Sequence, residues 1–427
     1  MPRRSRRSVL ALLGGTLLTA GCTSSSDDPP ESPTSRRPPT GTSTTQTTTT
    51  TRTETRGTTT VSNAPTAKFN RRLEATGRWP QHRFDAANTG TNGDATGVPK
   101  EGSLCWRRPK AEQPVVDGDR MYTFERHDDR LFVTERRVDT GKIERKHGVE
   151  RGGWTALAND DVLYSLYDRI ASVDPKTWTQ NWSTPVAKGY PATPIVDGST
   201  AYVAVEPLSD TDTTDGVVTA IDLKTGETRW TNTVSPSKGY RSSGALRRDG
   251  LLCYVDGTHL VAVDPENGDI DWNYALQSTV STDPVVAGKF VLYADQRSIR
   301  CLHADDGTEA WTRKTKSPNG IAVTDDVAFV SDDEGLSALG LEDGQQVWRA
   351  PLGNCMTPSV DTETVYVDGD AELFALERST GKERWSYDFP DVVIEGDIAT
   401  SGSRHPPILL DDGILVPAVD GLYAFGR

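Results

Sequence analysis

Methionine, cysteine and lysine are scarce in this 427-residue chain: it has 3 Met, 5 Cys, and far fewer Lys than Arg among 47 basic side chains. No two cysteines are adjacent, and the length is too great for a small disulfide-stapled domain. Long apolar runs are also missing, which excludes an internal membrane-spanning helix. The six histidines (His82, His127, His147, His259, His303 and His405) include no two at metal-ligand spacing, so no metal site is expected. No Ser/His/Asp constellation or phosphate loop stands out. A net charge of −14 argues against nucleic acid. Acidic residues with little Lys and retained Arg suit a protein kept soluble in strong brine; an ordinary acidic extracellular protein would share the acidic balance.

What is present begins with an address. Arg3-Arg4-Ser5-Arg6-Arg7-Ser8 precedes an apolar stretch from Val9 to Leu18, then Thr19-Ala20-Gly21-Cys22. A charged start, an apolar middle and small residues before a cleavage point make an export signal. Arg6 and Arg7 lie in a pattern that resembles a twin-arginine motif, and Thr19–Cys22 resembles a lipobox with Cys22 as the lipid-bearing residue. Residues 1–22 are read as the signal. Residues 23–77 are read as a linker whose Ser/Thr/Pro-rich composition cannot offset its ordering entropy and suits O-glycosylation. The part from residue 23 to 65, as a flexible chain, reaches roughly 35–40 Å. The expected location is the cell surface, lipid-anchored to the outer side of the cytoplasmic membrane.

From residue 78 onward the chain repeats itself. Ala220-Ile221-Asp222-Leu223-Lys224-Thr225-Gly226-Glu227-Thr228-Arg229-Trp230 is the clearest copy, and the Trp lies four residues after the Gly. Siblings end at Trp182, Trp272, Trp311, Trp348 and Trp385. The copy ending at Arg145 has lost its Trp, and the copy ending at Trp182 has Trp178 where Gly is expected. Upstream of each ending lie two more apolar runs joined by a tight turn such as Asp197-Gly198. Each unit therefore reads as four strands, with Gly supplying a positive φ and Trp a buried face between units. Trp106 ends a lone strand, and the tail from Ile408 to Phe425 carries three strands that it can complete. The expected fold is all-β: an eight-bladed propeller closed by both chain ends, with seven blades as the alternative if the Arg145 unit is not a blade.

The Asp-x-x-Thr-Gly-x-x-x-Trp signature resembles the pyrroloquinoline quinone (PQQ)-like repeat. That family includes quinoprotein alcohol dehydrogenases and an outer-membrane assembly propeller lipoprotein. Trp79-Pro80 through Asp85, Asn88, Thr89 and Gly90 is similar to the family's opening segment. In its catalytic members the resemblance implies a vicinal disulfide, calcium-ligating Glu and Asn, and a catalytic Asp. This chain has no Cys-Cys pair, so no cofactor is expected, PQQ included. The pairing of Cys105, Cys253, Cys301 and Cys355 is left open, as is weak calcium binding by Asp368-Gly369-Asp370 or Asp411-Asp412-Gly413. Those two acidic stretches are read as first turns of their blades. Asn181-Trp182-Ser183 is a formal glycosylation sequon.

Loop length is the remaining functional signal. Second-to-third-strand loops and blade-to-blade connections share one face of a propeller, and the unusually long Glu206–Asp215 and Ser386–Pro407 both extend it. Trp154, Tyr190, Tyr240, Arg241, Phe389, Arg404 and His405 are the candidate binding residues there. The expected function is a non-catalytic, monomeric scaffold of halophilic archaeal type, membrane-anchored through its lipid and binding a protein or envelope component. The alternative is a quinoprotein-type dehydrogenase, or a redox protein that binds a small ligand in the central funnel.

Overall fold

The computed structural model describes residues 71–427 apart from 99–100, 110, 128–129, 150–152, 188, 208–215, 235–243, 248–249, 257, 395–396, 401 and 403–404. The residues read as an export signal, with Arg6, Arg7 and Cys22, and the Ser/Thr/Pro-rich stretch up to residue 70 lie outside the described residues. Eight antiparallel four-stranded sheets follow one another, two of them widened by a short extra strand. Blades 1 to 7 occupy residues 115–149, 155–185, 195–234, 245–275, 285–314, 320–350 and 359–388. Blade 8 takes Ile408–Leu410, Gly413–Ala418 and Gly421–Gly426 from the C-terminal end and Ser103–Arg108 from the other. The Arg145 unit is a full blade, and the ring has eight.

The repeat's turn chemistry follows the sequence. Asp222 accepts hydrogen bonds from the amides of Lys224 (2.9 Å) and Thr225 (3.0 Å), and Gly226 follows at φ +76°. The residue before each Trp has no partner across the ladder. Asn181, Arg229, Asp271, Ala310, Val347 and Arg384 are each the extra residue of a β-bulge. The bulge rolls the Trp toward the next blade. There the indole N–H donates to a carbonyl of the neighbour's last turn: Trp182 to Leu223, Trp272 to Ala304 and Trp311 to Leu341, each at 2.8 Å. The ring covers the neighbour's turn Gly. A Cβ on Gly307 would lie 2.6 Å from Cε3 of Trp272. Gly is thus required twice over, by its φ and by the indole on it.

Two anomalies of the repeat are one compensation. At the junction of blades 1 and 2, Arg145 takes the Trp position and donates to the carbonyls of Pro175 and Lys176 at 2.6 Å, replacing the missing indole N–H. Trp178, at φ +58°, supplies the ring from the other side and stacks on His147 at 5.3 Å. Arg145 also pairs with buried Glu135 at 2.6 Å. The hydrophobic clusters sit between adjacent sheets rather than at one centre, so the core is a circle of inter-blade layers. The four described cysteines are unpaired and buried, Cys105, Cys253 and Cys301 in blades 8, 4 and 5 and Cys355 in the connection from blade 6 to blade 7; burial pushes the Cys301 thiol up to about 12.

The segment ahead of Ser103–Arg108, blade 8's outermost strand, runs once around the inside of the ring. Arg78–Trp79 pairs with the innermost strand of blade 1. The carbonyl of Pro80 then accepts the amide of Leu157, and Gln81 Oε1 that of Val196. Carbonyls of Ala86, Ala87, Thr89 and Gly90 accept those of Leu246, Val286, Val323 and Val360, and Asn92 Nδ2 donates to Leu409 O at 3.1 Å. These innermost-strand residues belong to blades 2 to 8 in ring order. The hoop sits toward the first-turn side and floors the channel. Upstream, Leu73 N bonds Asp139 O and Thr76 bridges Asp411, so the chain arrives across the tight-turn face.

Two expectations are corrected. Asp368-Gly369-Asp370 is not a first turn: Thr364–Gly369 and Glu372–Glu377 are the second and third strands of blade 7, so this turn lies on the loop-rich face. The first turn there is Asp361-Thr362-Glu363, and its acidic, turn-favouring composition matches the misassigned one. Asp411-Asp412 is a first turn as expected. Phe389 is not on a rim: it is 4% exposed, its ring 5.1 Å from Tyr423 and 5.5 Å from Tyr387.

Candidate binding face

The loop-rich face gathers residues from distant parts of the chain. Trp154 ends the connection from blade 1 to blade 2, and His405 ends the one from blade 7 to blade 8. His82, from the hoop, reaches up between them. The three rings meet edge to face: His82–Trp154 at 5.4 Å, Trp154–His405 at 5.6 Å and His82–His405 at 5.9 Å. Gln113, just before blade 1, holds His82 in place. Its Nε2 donates to the His82 carbonyl (2.8 Å), and its Oε1 accepts from His82 Nδ1 (2.5 Å). This holds the ring and, in the neutral form, places its proton on Nδ1.

Burial, then the neighbouring Arg83 charge, lower the His82 pKa from 6.5 to about 4, against the opposing bond to Gln113. The folded-state value lies below the unfolded one, so the unfolded chain takes up the proton first as pH falls. This contribution is complete above about pH 6.5 and is lost toward pH 4. His82→Gln should therefore flatten the fall of stability between pH 7 and 4.5 by about 2 kcal/mol, read as Tm against pH. Parallel curves for the two proteins would show that His82 does not titrate in this way.

The connection from blade 7 to blade 8 carries its own hairpin, Asp391–Ile394 paired with Asp397–Thr400, a two-stranded sheet separate from the blades. Its base is pinned where Phe389 N bonds Ala371 O and Val419 N bonds Gly402 O. Of the predicted face, Trp154 and His405 therefore come together. Tyr240, Arg241 and Arg404 lie outside the described residues, as does most of Glu206–Asp215. Tyr190 is in a short extra strand, Gly189–Pro191, beside blade 3. Sequence reasoning missed His82 and Gln113 as site residues, because nothing in their local pattern shows that the hoop returns them to the loop-rich side. Among the described residues, no three His, Cys, Asp or Glu side chains cluster as a metal site.

The family model for the outer membrane protein assembly factor BamB matches residues 91–349 and 332–424. Among curated proteins no sequence relative matches. BamB from Moraxella catarrhalis superposes with a TM-score of 0.60 at 11% identity, over 77% of this chain and 100% of that one. Quinohemoprotein alcohol dehydrogenase from Comamonas testosteroni gives 0.62 at 13%, over 83% and 81%. A europium-containing methanol dehydrogenase gives 0.62 at 12%, over 83% and 99%. These structures share the fold. With a four-stranded repeat, an inter-blade Trp and the matching family model, the chain belongs to the PQQ-like propeller family of the assembly factor BamB.

Proposed function

We infer that this protein is a non-catalytic, lipid-anchored scaffold at the cell surface whose loop-rich face holds a protein or envelope partner. The observation that carries the reading is the division of the two faces. Residues 71–76 cross the tight-turn face, and the opposite face bears the separate hairpin and the Trp154–His405–His82 trio. Function concentrates in such loops on rigid scaffolds, and aromatic and charged side chains favour recognition.

Two features favour the non-catalytic reading over one with a PQQ–calcium pair. Side chains of the hoop are tied to the innermost strands, Arg83 Nη2 donating to Ile321 O in blade 6 and Asn88 Nδ2 to Gly244 O and Pro284 O at the entries to blades 4 and 5. No two cysteines are adjacent in the sequence, so none can form a vicinal disulfide.

The test is co-purification from native membranes. Deleting the hairpin, residues 391–400, should abolish partner capture while circular dichroism stays unchanged, because altering a long surface connection has little effect on stability. Asp411→Asn with Asp412→Asn, on the opposite face, should leave capture intact. Cys22→Ser should release the protein into the medium with its partner still bound. Capture that survives hairpin loss but not the Asp411/Asp412 change would reverse the faces.

A further inference from the structure

We propose that one side of blade 1, at its loop-rich end, docks an acidic peptide segment of the partner. The proposal rests on the reading that the loop-rich side holds a partner, and it names the chemistry of the contact. Blade 1's second and third strands, Arg120–His127 and Arg130–Arg137, are joined at that end. Phe132 stands opposite Glu125 on one side and Gly148 on the other, and Arg130 stands opposite His127. Lys146 is two residues before Gly148 on the outermost strand, so alternation puts it on the same face of the sheet. Gly148 has no side chain, and the half-buried Phe132 ring lies over it: a Cβ there would be 3.7 Å from the ring.

That ring is a platform for positive charge. The Arg130 guanidinium and the Lys146 ammonium each lie 5.5 Å from its centre, and the His127 ring meets it edge to face at 5.9 Å. Arg130 and Lys146 are exposed, and among the described residues neither is in an ion pair. On the outer strands of other blades, Arg229 is paired with Asp222 at 2.6 Å and Arg349 with Asp332 at 2.8 Å. Glu125, on the same face as the ring, is buried and held by Arg136 (2.6 and 2.8 Å) and His127 (2.9 Å). Asp128 and Asp129, in the turn beside the patch, lie outside the described residues.

Two cations that share one ring repel each other until an anion joins them. In a chain of net charge −14, most of the surface repels an acidic partner, so a basic patch both attracts it and fixes where it lands. The ring adds apolar surface between the cations. A segment with an apolar side chain among carboxylates matches both features. Ile143–Val149 is the edge strand of its sheet, so an extended segment can reach the patch from outside.

The experiment follows binding of a fluorescein-labelled peptide, one leucine between two runs of glutamate, to the purified folded chain by fluorescence anisotropy. Arg130→Gln with Lys146→Gln should weaken binding about tenfold, with circular dichroism unchanged. Lys176→Gln with Lys224→Gln makes the same change of net charge on the tight-turn face and should bind like the parent. Deleting residues 391–400 should also leave peptide binding intact, so the patch and the hairpin's part in partner capture can fail separately. No peptide binding by the parent, equal binding by the parent and the Arg130/Lys146 variant, or binding of phosphatidylglycerol vesicles in place of the peptide would overturn the proposal.

Discussion

Replacing Trp272 with Ala should lower the stability of the propeller by roughly 3–5 kcal/mol, the usual result of emptying a buried aromatic site. The indole is 8% exposed, lies over Gly307 and donates to Ala304 O, so the change opens a cavity and leaves a carbonyl unpaired. Gly307→Ala attacks the same contact from the other side. Its φ of +70° disfavours any Cβ, and that Cβ would strike the indole. The two changes share one interface, so the double variant should lose clearly less than the sum of the singles. Denaturant unfolding of the four proteins measures this. Additive losses would mean that Trp272 and Gly307 act separately and that the repeat's spacing is not an interlock.

A larger loss is expected when residues 71–98 are removed. Leu73, Trp79 and Val98 are each 1% exposed or less, and the backbone between Trp79 and Asn92 bonds the innermost strands all round the ring. The shortened chain should fail to give a cooperative monomer, because the inner strands would be left with unpaired amides facing an emptied channel. Val98 also accepts the indole N–H of Trp385, and Gly102 lies under that ring. These two residues stand in for the last turn that blade 8 lacks. A shortened chain that melts like the parent would show that the hoop is an ornament.

The repeat made most of this fold legible. Gly226, Gly268 and Gly307 with the Trp of the preceding blade announce the four-stranded unit, and Trp106 announces the closure of blade 8. What could not be read is what depends on three dimensions. Arg145 and Trp178 look like two lapses of the pattern until the junction shows them exchanging roles. The turn Asp368-Gly369-Asp370 has the composition of either face, and only strand pairing assigns it. Phe389 looks like a rim residue because the loop around it is polar, yet Tyr387 and Tyr423 enclose it. His82 lies in a segment without periodicity, so its return to Trp154 and His405 leaves no mark in the sequence.

Closure of blade 8 has a consequence for the order of events in synthesis. Ser103–Arg108 is made early but finds its partner only in Gly421–Gly426. Blades 1 to 7 can collapse behind the ribosome as each is completed, whereas the ring waits for the last strands of the chain. Pairing across so long a stretch is slow, and until it happens two strand edges stand open to misassociation. The finished ring thus exists only after Gly421–Gly426 has been made and has met Ser103–Arg108. A translocase that threads an extended polypeptide would leave closure to be completed outside, while one that moves folded cargo would carry a ring already closed by its own two ends.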